Sequence, residues 1–123
     1  MTDDEKPRNA QDLVAAEWAT VLAYGPERVD PIVPRTAYAH PALRELFPMI
    51  GHGVLYLSRC TRYPWTHDVP TAFPQVAGGY RVRRESDRTL VGVVGTVEEA
   101  YELIVANLPE GCGPAVDGTP DDL

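Results

Sequence analysis

Tyr80-Arg-Val-Arg-Arg-Glu-Ser-Asp-Arg-Thr-Leu-Val-Gly-Val-Val94, followed directly by Gly95-Thr-Val-Glu-Glu-Ala-Tyr-Glu-Leu-Ile-Val-Ala-Asn-Leu108, decides the fold class of this chain. Tyr80 and Val82 alternate with Arg81 and Arg83, the period-2 pattern of a half-buried strand. Thr89 to Val94 is a more apolar strand, and Glu85-Ser-Asp-Arg88 joins the two as a hairpin. Thr96-x-x-Glu99 is then a capping box, in which hydroxyl and carboxylate satisfy each other's orphan backbone amides. Val97, Ala100, Tyr101, Ile104 and Leu108 trace one helix face until Pro109 and Gly111 end it. Hairpin-length connections imply antiparallel pairing, because a parallel crossover needs a dozen or more residues.

Working back toward the N-terminus, Val54 to Cys60 is a third β-rich run, entered through the turn Gly51-His-Gly53. Pro64, Pro70 and Pro74 leave room between residues 61 and 78 for only a short edge strand near Val69–Phe73. Asn9 can cap a first helix with Val14, Trp18, Val21 and Leu22 on one stripe, stopped by Gly25-Pro26. Pro26, Pro31 and Pro34 predict an extended connector over 26–39. Pro41 starts a second helix after His40, with Leu43, Leu46 and Phe47 inward, and Pro48 closes it after about two turns. The expected class is α+β: a small antiparallel sheet of three or four strands, built from 53–60, 79–84 and 89–94, with N- and C-terminal helices packed on one face.

The 123 residues fit a single domain, in which roughly two-thirds of the unfolded surface is buried. Loose ends are expected at residues 1–8 and at 117–123, where Gly and Pro recur without a basic residue. No apolar run approaches the ~20 residues of a membrane span, and Met1-Thr-Asp-Asp-Glu-Lys6 has no apolar signal core. With only two cysteines, the expectation is a cytoplasmic protein with reduced thiols. Net charge is −7, yet residues 51–95 hold six Arg against three acids. That patch is too small and mixed for nucleic acid, though it suits a small anion. A homodimer is compatible with this reading.

Leu55 to Pro70 concentrates ligand-type residues in a Pro-bounded loop, where function tends to reside. Tyr56, Arg59, Tyr63, Trp65 and His67 are the candidate ligand-binding residues, with the aromatics able to roof a pocket or face a partner. His67, Asp68 and Cys60 are the candidate catalytic residues. Eight residues of strand would hold His52 about 26 Å from Cys60, so a dyad there is out of reach. His67 can fold back toward Cys60, but Asp68 cannot easily orient its neighbour's ring. His40, His52, His67 and the two cysteines form no ligand-spaced pair, so no metal is expected. Gly78-Gly79 and Gly111-x-Gly113 are not phosphate loops, and no cofactor is expected.

Four blocks, Ala37–Pro48, His52–Thr61, Pro64–Pro70 and Leu108–Val116, resemble an actinobacterial family of unknown function often labelled natural-product biosynthesis proteins. The similarity spans about residues 10–119. Its specific parts are Ser58-Arg-Cys60 and Gly111-Cys-Gly-Pro114. Where the family commonly has Ser before the His of the second block, this chain has Gly51, so a Ser–His pairing cannot be essential. The resemblance implies a setting in specialised metabolism and no particular reaction. Three readings follow. One is an accessory protein that binds a pathway intermediate or a biosynthetic enzyme. Another is a small cofactor-free enzyme of proton transfer, such as a cyclase or isomerase, with Arg59 or Tyr56 stabilising negative charge. The third is an interaction module of immunity type.

Overall fold

Asn9 opens helix α1 (Ala10–Leu22). Its Oδ1 accepts from the Asp12 amide at 2.8 Å, satisfying one of the orphan donors of the first turn. The computed structural model describes residues 9–123, and the loose stretch expected at 1–8 lies outside them. Val14, Trp18 and Val21 are buried as the stripe predicts. The Trp18 indole Nε1 donates to the Leu46 carbonyl at 3.0 Å, locking α1 to the segment that enters the first strand.

Two proline readings are corrected here. The extended connector expected over 26–39 contains a helix, α2 (Ile32–Tyr38). Pro31 is its N-cap and Pro34 its third residue, inside the first turn where a missing N–H breaks no helical bond. The helix begun by Pro41 runs for one turn only, α3 (Pro41–Arg44), with His40 at its N-cap as expected. Phe47 and Pro48 belong instead to a strand, β1 (Phe47–Gly51), which pairs antiparallel with β2 (Val54–Ser58). His52 and Gly53 make the turn with φ of 52° and 78°, the two positive values of the tight hairpin turn whose twist matches its strands.

The remaining strands form a second sheet: β3 (Thr71–Pro74), β4 (Tyr80–Arg84) and β5 (Thr89–Val94), in that spatial order and all antiparallel. The class is α+β, and the 80–94 hairpin lies where its alternation put it. Strand 54–58 does not join that sheet, contrary to expectation, and pairs with β1 instead. Helix α4 (Val97–Ala106) begins at the Thr96/Glu99 capping box, with the Glu99 amide bonded to Thr96 Oγ1 at 3.1 Å and the Thr96 amide to Glu99 Oε1 at 3.1 Å. It lays Val97, Ala100, Tyr101 and Ile104 on the three-stranded sheet, while α1 packs on β1. A single buried cluster runs from Trp18 and Leu43 through Leu55 and Val82 to Ile104.

β5 departs from the fully buried strand that its apolar sequence suggests. Leu90 and Val93 are about half and two-thirds open to solvent. The chain's last segment lies against residues 59–62. Val116 N donates to the Arg59 carbonyl (3.0 Å), Thr61 N to the Val116 carbonyl (3.1 Å) and Arg62 N to the Gly118 carbonyl (2.8 Å). Beyond it, Thr119 caps a short 3₁₀ turn, Pro120–Asp122.

Candidate functional site

Ser58, the last residue of β2, is fully buried and acts as a hub. Its Oγ accepts from the amides of Cys60 and Thr66, each at 3.1 Å, and donates to the Cys60 carbonyl at 2.8 Å. Thr66 Oγ1 in turn accepts from the Arg59 amide at 2.8 Å. Two short side chains thus close the loop 59–66 on itself, satisfying buried backbone groups that no sheet partner serves. Within it the Tyr63–Pro64 peptide is cis, and Trp65 has φ of 54°. A bulky residue in the left-handed region costs about 1–2 kcal/mol, which its surroundings must offset. The Trp65 amide bonds to the Arg62 carbonyl at 2.9 Å, and the Tyr63 ring stands edge-on to the Trp65 ring at 5.3 Å.

This loop forms one wall of a half-open cleft of about 340 Å³ at the seam between the two sheets. Met49, Ile50 and Leu57 from the first hairpin face Trp65, Thr66 and His67, with Val69, Thr71, Tyr56 and Glu85 completing the lining. The volume is at the small end of ligand sites, and the mixture of apolar walls with few polar groups is typical of them. Its rim is braced. Tyr56 packs edge-on against Phe73 (6.3 Å), the Arg83 guanidinium sits over Phe73 (4.9 Å), and Arg83 Nε holds Glu85 Oε1 at 2.8 Å. Glu85 is therefore a neutralised carboxylate. The His67 carbonyl accepts from the Ser86 amide at 2.8 Å, tying the loop to the β4–β5 hairpin. The Trp65 indole Nε1 is buried and has no hydrogen-bond partner among the described residues.

Of the five expected ligand-binding residues, Tyr56, Trp65 and His67 line this cleft. Arg59 does not; its Nη1 pairs with Asp68 Oδ2 at 2.8 Å, and both side chains are largely buried. Tyr63 is 74% exposed and reaches the cleft only through Trp65. The catalytic candidates are separated. The Cys60 thiol is buried against the Arg62 carbonyl (3.6 Å), the His67 Nε2 meets the Pro64 carbonyl (3.1 Å), and Asp68 is held by Arg59. No hydrogen bond joins Cys60 to His67 among the described residues. Both cysteines are free, and burial pushes the Cys112 thiol up against an opposing pull from the nearby Arg59 guanidinium, so Cys112 is not an activated thiolate. Among the described residues no group of His, Cys, Asp and Glu could hold a metal ion, and no helix is long and apolar enough to cross a membrane.

Met49, Ile50, Val69, Thr71 and Glu85 escaped the sequence reading. Ending a helix at Pro48 left Met49 and Ile50 without an element, although they precede a Gly-x-Gly turn followed by a clear strand, a hairpin signal.

A family model, described as a family of unknown function (DUF6193), matches residues 12–119. The chain belongs to that family. The DUF6193 match contains every residue of the cleft, the Ser58 hub and the Arg59–Asp68 pair. No curated protein and no solved structure matches the chain.

Proposed function

We propose that this DUF6193 protein is an accessory protein of natural-product biosynthesis in an actinobacterium, binding a small pathway intermediate in the cleft between its sheets. The observation that carries the binding role is the convergence of Tyr56, Trp65 and His67 on one apolar cleft. The ligand that suits these walls is compact, flat and largely apolar. The biosynthetic setting rests on the resemblance of the Ser58-Arg-Cys60 and Gly111-Cys-Gly-Pro114 blocks.

Thermal shift against a panel of small aromatic lactones, quinones and indoles tests it. Stabilisation of the parent chain that disappears in Trp65→Ala and weakens in His67→Ala is the expected result. If nothing on such a panel or among the intermediates of its own gene cluster binds, and Trp65→Ala alters stability alone, the cleft is merely a seam.

A second reading is favoured by one observation: Tyr56 and His67 line the same cleft, as a proton-transfer enzyme requires. There His67 is the base and the Tyr56 hydroxyl the stabiliser of negative charge, whereas Arg59 and Asp68 pair with each other outside the cleft lining. Turnover of a bound intermediate that is lost in His67→Gln, with binding retained, distinguishes it from simple carriage.

A further inference from the structure

β5 is an edge of its sheet; β4 pairs with one side, and among the described residues no strand pairs with the other. Soluble proteins blunt such edges with lysine, proline or inward charge. Thr89 through Val97 carries none of these. It presents instead two open apolar side chains, Leu90 at 50% and Val93 at 62% exposure. A register shift in the β4–β5 ladder places both on the same face. Leu90 lies opposite Arg83 and Val93 opposite Arg81, whereas Gly92 lies opposite the buried Val82 and faces α4, where an added Cβ would come within 2.8 Å of Leu103.

This pattern fits itself. When a second chain runs antiparallel along β5, Leu90 falls opposite the other copy's Val93, and the reverse, so all four exposed side chains meet. Thr89 then faces Val94, and Val91 faces Gly92. Both strands carry two residues between the apolar pairs, so the bulge leaves none unmatched. Arg88, exposed at the hairpin end, falls opposite Gly95, whose amide is held by Glu99 Oε1 at 3.2 Å. A guanidinium of each copy therefore meets a carboxylate of the other, twice about the axis. We propose that two copies of this chain join along β5 about a two-fold axis between Val91 and Gly92, merging their three-stranded sheets into one. Such isologous pairing is the commonest closed symmetry.

Sedimentation of the full chain over roughly micromolar to millimolar concentration reads this directly. The mass is expected to rise from 13.5 kDa toward twice that value. Val93→Lys, at an exposed position, moves the midpoint to at least about tenfold higher concentration, since it sets a charge into the apolar contact. Arg88→Glu weakens association, and added salt weakens the parent dimer more than that variant. In the parent chain, amide exchange at 89–94 slows as concentration rises. A monomer throughout leaves the edge to some other chain and overturns the proposal. So does a dimer whose midpoint Val93→Lys does not move, or exchange at 89–94 that ignores concentration.

Discussion

The Thr66 amide donates to Ser58 Oγ at 3.1 Å across eight residues of chain, and that bond sets where the Trp65 loop returns to the core. Ser58→Ala strands this amide and that of Cys60, both otherwise unserved. It is expected to cost about 2–4 kcal/mol in urea denaturation. Stability within error of the parent would show that the loop closes without this hydroxyl.

Ile104 is fully buried where α4 meets the sheet. Ile104→Ala should destabilise by about 2–5 kcal/mol, the range of large-to-small core substitutions. A change under about 0.5 kcal/mol would contradict the packing of α4 on the sheet.

Tyr101 is buried on the same helix, and its hydroxyl has no hydrogen-bond partner among the described residues. Tyr101→Phe removes that desolvated group and is expected to be neutral or to stabilise by up to about 1 kcal/mol. Burial, aided by the neighbouring Tyr80, pushes the phenol well above its ordinary value of 10.0. The sign follows: the folded state keeps the neutral form, so stability is intact below about pH 10 and falls as the unfolded chain ionises above it. Denaturation midpoints from pH 8 to 11 should show that fall in the parent and a shallower one in Tyr101→Phe.

Arg84 Nε contacts both carboxylate oxygens of Asp87 (3.2 and 3.3 Å), and the Thr89 amide bonds to Oδ1 at 3.0 Å. Hydrogen bonds from Arg84 and then Thr89 hold the Asp87 carboxyl at about 2, below its ordinary 3.8. A depressed carboxylate supports the fold above its unfolded value and loses that support as pH falls toward 2. An NMR titration should find Asp87 unprotonated at pH 3 and the Thr89 amide resonance moving only below it. Titration near 3.8 would mean that the hairpin clasp is not formed in solution.

Gly79 has φ of 79°, and a Cβ there would lie 2.6 Å from the Val94 carbonyl oxygen, a backbone atom that cannot rotate aside. Gly79→Ala is expected to cost about 2–4 kcal/mol by thermal or urea melts. Gly113→Ala, where an added Cβ meets nothing, should be silent.

Much of this was legible in residue order where one local rule acted alone. The Tyr80/Val82 alternation and the Thr96/Glu99 box depend on neighbours a few residues away, and both elements stand where those neighbours put them. Proline misled at Pro34 and Pro48, because its cost depends on whether its absent N–H was needed. In a first helical turn it was not, and Pro48 sits in a two-stranded ladder whose strand β1 pairs on one side only. The cleft was legible in half. Tyr56, Trp65 and His67 stood out by residue type, whereas Met49, Val69 and Thr71 are ordinary residues made into a wall by the meeting of two sheets, which no local pattern encodes.

The rail that Val116 and Gly118 lay along Arg59–Arg62 joins residues more than fifty positions apart. Closing so long a loop is entropically slow, and the contacts that reward it come only at the end. During synthesis the aromatic loop stays without its partner segment until residue 118 has emerged. Completion of the Arg59–Arg62 flank of the loop is thereby deferred until residues 116–118 are made, so a chain ended before them can form its hairpins but leaves that flank unpaired.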